Sequence, residues 1–280
     1  MSGRGPPSSR NGTVLAGNER GAQVQRFTLI QGGYAVGPAA GAGWRIDLKG
    51  APGVDAEAIA AWRAHLLRNA VLDPRTDPDY LLTAARHLAG SEQIAFALAW
   101  ELGPDPTLRG VVPLAIAEPL FRASRARPWW PPGVTARSLV DPGRGAAIHA
   151  AVAAHLSALP RPVAYDPQAR KRTVPPENVV GIRPEGYVPP SATVETVREP
   201  ERVRDAVEAF LALDARTARY PIIAEPQEAA MVRVVTRLFA RRQQLAVALA
   251  SRAGGLVAGT ICLGQGPGTI AWRHAGALPA

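Results

Sequence analysis

The 280 residues leave room for one large domain or two of about 100 to 150 residues, because single cores stop growing much beyond that size. Hydrophobic residues at 47% against 20% charged exclude a disordered or fibrous chain over most of the length. The net charge of +9 raises nucleic acid as a partner, yet Lys49 and Lys171 are the sole lysines, the arginines are scattered, and no basic stripe with interleaved aromatics appears, which argues against one.

Residues 1–43 are rich in Gly, Ser, Pro and Arg and are expected to form a flexible leader. They contain no apolar signal segment, and no apolar run in the chain approaches the ~20 residues of a spanning helix, so a cytoplasmic protein without a membrane span is expected. From Trp44 the pattern becomes globular. Asp55 can cap a helix whose buried face is Ile59, Trp62 and Leu66. Asp77-Pro78 starts a second, with Leu81, Ala84, Ala85 and Leu88 as its stripe and Gly90 as its end.

Ile94, Phe96, Leu98 and Trp100 then alternate with alanines at the period of a strand, and Gly103-Pro104-Asp105-Pro106 turns the chain into a second apolar run, 111–117, predicting an antiparallel hairpin. Trp129 and Trp130, between prolines, read as a packing plug rather than a sugar platform. Ser138-Leu139-Val140 leads into the turn Asp141-Pro142-Gly143-Arg144-Gly145 and an alanine-rich helix through Ile148, Val152 and Leu156. His149 and His155 lie on different faces of that helix, which excludes a shared metal at helical spacing, and His65 and His87 stand alone.

Residues 159–198 hold so many prolines that an irregular connector is expected. Beyond it, Val203, Val207, Phe210 and Leu213 mark one helix, and Met231, Val234, Val235, Leu238 and Phe239 another. Three strands follow at 245–251, 256–263 and 269–275. The lone Cys262 falls in the second of these and reads as a small buried hydrophobe, since one cysteine makes neither an internal disulfide nor a thiolate cluster. The order helix, helix, strand, strand, strand thus occurs twice, in an N-terminal half at 44–158 and a C-terminal half at 199–280.

Several stretches in this order resemble the GNAT N-acetyltransferase fold, and more closely its CelD-like (BcsL-like) branch associated with cellulose biosynthesis. They are Asp77-Pro78-Asp79-Tyr80-Leu81-Leu82 with Arg86-His87-Leu88, Val112-Pro113-Leu114, Leu139-Val140-Asp141-Pro142, 206–213, and Gly255-Leu256-Val257-Ala258-Gly259 with Ala271-Trp272-Arg273. The resemblance covers about residues 55–158 and 192–275. It implies an α/β protein of two GNAT-like halves, each a mixed, mostly antiparallel sheet flanked by helices, the second half truncated. It implies acyl-CoA-dependent N-acyl transfer, with acetyl-CoA or another acyl-CoA as cosubstrate, no metal, and a small-molecule amine or the polysaccharide-synthesis machinery as partner.

Carried onto this sequence, the resemblance makes His274 a candidate base and lets Trp272 and Arg273 border the cofactor. It places Gly143, Arg144 and Gly145 where the first half would hold a pyrophosphate, although Asp141 beside them would repel it. The family's Trp-Lys-Thr-Ala-Tyr strand reads Trp272-Arg273-His274-Ala275-Gly276 here, and the Ser-Pro-Gly turn and helix expected after it are not in the sequence, which ends at Ala280. The second half's pyrophosphate cradle is therefore expected to be incomplete. The alternative reading is a non-catalytic GNAT-fold scaffold or binding protein; a nucleic-acid binder would instead lose affinity steeply with salt.

Overall fold

A computed structural model describes residues 43–90, 92–117, 124–131, 134, 139–169 and 191–276, all within one compact unit. The expected leader up to residue 42, Ser138 and the middle of the proline-rich stretch, 170–190, lie outside the described residues.

The chain is a mixed α/β protein with two sheets. The first is built from β1 (Trp44–Gly50), β2 (Gln93–Glu101), β3 (Thr107–Ala117), β4 (Ser124–Pro128), β5 (Leu139–Val140) and β6 (Val163–Tyr165). Its order is β1-β2-β3-β4-β6, with short β5 sharing the β4 edge of β3. Every pair is antiparallel except β4 and β6. Between β1 and β2 the chain forms α1 (Ala56–Arg68) and α2 (Pro78–His87); α3 (Gly145–Ser157) leads into β6.

The caps read from the sequence are in place. Asp55 accepts from the Ala58 N–H at 2.9 Å, and Asp77 from the Asp79 N–H at 2.9 Å with Pro78 opening the helix. Alternation along β2 divides the sheet. Phe96, Leu98 and Trp100 join the core that includes Trp62, Leu66, Tyr80 and Leu81 of α1 and α2. Ala95, Ala97 and Ala99 line the other face, where their small side chains admit Ile148, Val152 and Leu156 of α3. Gly110 belongs to the same fit, because a Cβ there would stand 3.1 Å from Ile148 Cδ1 and 3.3 Å from Val140 Cγ2.

The second sheet comprises β7 (Thr193–Val197), β8 (Leu245–Arg252), β9 (Gly255–Leu263) and β10 (Ile270–Gly276) in the antiparallel order β10-β9-β8-β7, with α4 (Pro200–Thr217) and α5 (Pro226–Arg241) between β7 and β8. The β8–β9 hairpin turns on Ala253 and Gly254, both at positive φ (50° and 78°), which matches the right-handed twist of the paired strands. The second half runs strand, helix, helix, strand, strand, strand, whereas the first runs strand, helix, helix and then four strands, β2 to β5, before α3 and β6; β1, β4 and β6 in the first half and β7 in the second are strands beyond those expected, β4 falling between the expected strands at 111–117 and 138–140.

The extra strands correct two readings. β1 is new, although Trp44, Ile46 and Leu48 alternate with Arg45, Asp47 and Lys49. The proline-rich stretch carries β6 near its start and β7 near its end, where irregular chain was expected. The physical reason is that Pro160, Pro162 and Pro167 flank β6 and Pro189, Pro190 and Pro200 flank β7, none interrupting a strand, and both strands lie at sheet edges, where proline's missing donor costs least.

The two halves share a core. Residues of α1, α2 and β2 belong to one buried cluster with Val207, Phe210, Met231, Val235, Ile261 and Trp272. At its rim Arg242 donates to Asp77 Oδ2 (2.8 Å) and Asp79 Oδ2 (3.1 Å), while Arg63 reaches Asp79 at 2.7 Å. Gly268 lies so close to the α1–α2 loop that a Cβ on it would stand 2.6 Å from the Leu72 carbonyl oxygen. Gly268→Ala is therefore expected to cost about 1–3 kcal/mol through forced separation of the halves. Gly53→Ala, where nothing lies within 4 Å, should stay near wild type in urea denaturation; equal midpoints for the two variants would refute the contact.

Candidate functional site

Two places carry the residues singled out in the sequence, one on each sheet. The first is the turn between β5 and α3. Gly143 has φ 78°, a left-handed conformation that suits glycine, and the Asp141 carbonyl accepts from the Arg144 N–H at 3.1 Å, closing the turn. Gly145 begins α3, and the N–H groups of Gly145, Ala146 and Ala147 have no hydrogen-bond partner among the described residues. Together with the positive end of the helix dipole they form an arrangement suited to an anion. The Arg144 guanidinium pairs with Glu101 and lies 6.0 Å from the Trp44 ring centroid.

Asp141, the residue expected to repel an anion here, is turned inward. Oδ1 accepts from Asn69 Nδ2 at 2.6 Å and lies 3.2 Å from His65 Nδ1, while Oδ2 accepts from Arg109 Nη1 at 3.2 Å. Burial works to raise the Asp141 carboxyl, but the Asn69 bond, His65, Arg109 and Arg68 outweigh it and hold it below the ordinary carboxylate value. Glu101 then ties Arg109 (2.8 Å) to Arg144. His65 is 1% exposed and donates from Nε2 to the Leu139 carbonyl at 3.0 Å; burial, with Arg68 adding to it, depresses its basicity against the pull of Asp141.

The second place is β10. A bulge between Ala271 and Arg273 sends both Trp272 and Arg273 toward the helices. Trp272 is buried, its indole N–H donating to the Tyr80 hydroxyl at 3.3 Å with the rings edge to face. Arg273, 5% exposed, pairs with Glu228 of α5 at 2.7 Å and lies 5.0 Å from the Trp272 ring centroid. A phosphate would have to displace Glu228 to meet it. Nearby Asp214 is fully buried; its Oδ2 accepts from the Ile222 N–H at 2.6 Å, and burial pushes its carboxyl up against that bond and Arg273.

His274 faces the other side of the sheet. Its Nδ1 shares a 3.1 Å hydrogen bond with Thr260 Oγ1, its Nε2 is buried with no partner among the described residues, and burial lowers its pKa. The structure thus brings Gly143, Arg144 and Gly145 into one turn and Trp272 and Arg273 onto one face and separates His274 from that pair, and among the described residues no hydrogen bond or ion pair joins the turn to β10. The sequence reading left His65 standing alone, which its contacts with Asp141, Asn69 and Arg68 correct, and it did not single out Asn69, Glu101 or Arg109. A buried histidine one helical turn from an asparagine is a faint signal, and the Asp141 partner becomes visible only in the fold.

Among the described residues no group of three or more His, Cys, Asp or Glu could hold a metal ion, and no helix is long and apolar enough to cross a membrane. His149 shares a 2.7 Å hydrogen bond with the Tyr165 hydroxyl, whose pKa burial pushes up to about 12. Cys262 is buried, and burial pushes its thiol up.

Burial lowers the pKa of His65, His149, His155 and His274 below the ordinary 6.5. The unfolded chain then binds more protons as pH falls, so their contribution to stability is complete above about pH 6.5 and is lost on acidification through the depressed folded values. Thermal unfolding should show a lower Tm at about pH 5 than at about pH 7.5, a sign opposite to that expected if the histidines were held protonated by their partners.

No known family model matches the chain, and no curated protein matches it.

Proposed function

We propose that this chain is a cytoplasmic acyl-CoA-dependent N-acyltransferase of the GNAT kind, similar to the CelD-like proteins linked to cellulose and exopolysaccharide production. The turn before α3 takes the pyrophosphate of the cosubstrate. The observation that carries the reading is the order strand, helix, helix and a three-stranded antiparallel meander, which opens both halves and is continued in the first by β5, α3 and a strand parallel to β4. The α3 N–H groups that have no partner among the described residues, and the inward neutralisation of Asp141, support an anion at that turn.

In the reaction an amine nitrogen attacks the thioester carbonyl carbon, the C–S bond breaks, the coenzyme thiolate leaves and takes a proton, and the nitrogen loses one as the amide forms. The resemblance gives the last step to His274, whose Nδ1 is bonded to Thr260 and whose Nε2 is buried, so proton transfer there requires this face of β10 to open to the amine.

A second reading, a GNAT-fold scaffold or binding protein without catalysis, is favoured by the engagement of Trp272 with Tyr80 and of Arg273 with Glu228, which leaves neither free for a cofactor. Calorimetry and turnover with acetyl-CoA separate the two. Binding weakened about tenfold by Arg144→Ala, the scale of a lost charged hydrogen bond, is the expected result for the turn. Acyl transfer to an amine lost in His274→Ala identifies the enzyme. Absence of acetyl-CoA binding in the wild-type chain refutes the acyltransferase reading, and binding without transfer leaves the scaffold.

A further inference from the structure

The environment of His65 offers each ring nitrogen an acceptor. Nε2 lies 3.0 Å from the Leu139 carbonyl, so it must carry a proton. Nδ1 lies 3.2 Å from Asp141 Oδ1, a contact that attracts with a proton on Nδ1 and sets lone pair against carboxylate without one. Asn69 Nδ2, 3.2 Å from Nδ1 and 2.6 Å from Asp141 Oδ1, and Arg68 Nη2, 3.4 Å from Nδ1, can donate to Nδ1 when the ring is neutral. The site accommodates both charge states, and they place different demands on Asp141.

Asp141 is also the first residue of the anion turn. Its N–H donates to the Arg109 carbonyl at 2.8 Å and its carbonyl closes the turn on Arg144, so whatever anchors its side chain anchors the entrance to α3. The charged groups around the ring are Asp141 from the turn and Arg68 from α1. Behind Asp141 stand Arg109 of β3, Glu101 of β2 and Arg144 at the start of α3. The cations on the Asp141 side are already shared with Glu101.

We infer that His65 is a proton-linked positioning residue for the turn before α3: when its ring is protonated it ties down and neutralises Asp141, and the turn then binds an anionic ligand more tightly. The ligand side of this inference rests on the pyrophosphate role proposed for that turn; the coupling of His65 to the turn does not.

The test is an NMR titration of the full chain between about pH 5 and 8, the window of histidine protonation, following the His65 ring carbons and the Gly143, Gly145 and Ala146 amides. The amides should move with the midpoint of the His65 ring, and in His65→Gln, whose amide can still donate to Leu139, that transition should vanish while the rest of the spectrum persists. Acetyl-CoA affinity should gain roughly fivefold on acidification in wild type beyond any change seen in His65→Gln. A His65 ring that keeps one protonation state throughout, turn amides that ignore its titration, or an identical amide transition in His65→Gln would each overturn the inference. If His65→Gln does not fold, the ring-to-amide correspondence in wild type decides alone. If acetyl-CoA fails to bind at any pH, the function proposed for the turn falls, while the amide titration still decides whether His65 positions it.

Discussion

Asp77 is the residue on which the two halves meet. One carboxylate oxygen caps α2 through the Asp79 N–H, and the other accepts from Arg242, at the end of α5. Its side chain is largely desolvated, so both attachments matter: a buried carboxylate left with one would carry an uncompensated charge. The ion cluster of Arg63, Asp77, Asp79 and Arg242 need not be a large net source of stability, because desolvation offsets much of what pairing returns. The shared apolar core supplies the driving force, at roughly 25 cal/mol per Å² of apolar surface removed from water. The ions choose which of the sliding arrangements of α2 on α5 is allowed, and the close approach of Gly268 to Leu72 selects against the others.

Docking in this way has a consequence for chemistry. The inward face of β10 is drawn into the inter-half core, where Trp272 meets Tyr80 of α2 and Arg273 meets Glu228. The corresponding region of the first sheet is left to the turn before α3, with helix N–H groups that lack a partner among the described residues and a network running from α1 through Asp141 to Glu101 and Arg144. Two halves that open with the same run of strand, two helices and antiparallel meander therefore present different polar chemistry, because one face of the second sheet is spent on association.

Where the signal was local, the sequence was readable. Asp55 and Asp77-Pro78 mark helix starts because a capping oxygen and a proline both act within one turn, and the alternation of Phe96, Leu98 and Trp100 with alanines marks both faces of β2. The proline-rich stretch misled because proline forbids helix interiors but tolerates short edge strands, which is what β6 and β7 are. On β10, strict alternation would put Trp272 and His274 on one face and Arg273 on the other. The bulge instead pairs Trp272 with Arg273 and isolates His274, a change of direction that no local pattern of residue types announced. The His65–Asp141 contact lies beyond any local reading, since it depends on α1 crossing the sheet to reach β5.

The central structural claim is that the halves form one cooperative core rather than two tethered domains. Native-state hydrogen exchange in increasing denaturant tests it most directly, by comparing the amides of the β2–β3 ladder with those of the β8–β9 ladder. The slowest-exchanging amides of the two ladders should converge on a single opening free energy with the same denaturant dependence. A β8–β9 ladder that opens at a distinctly lower free energy while β2–β3 stays protected would contradict the shared core.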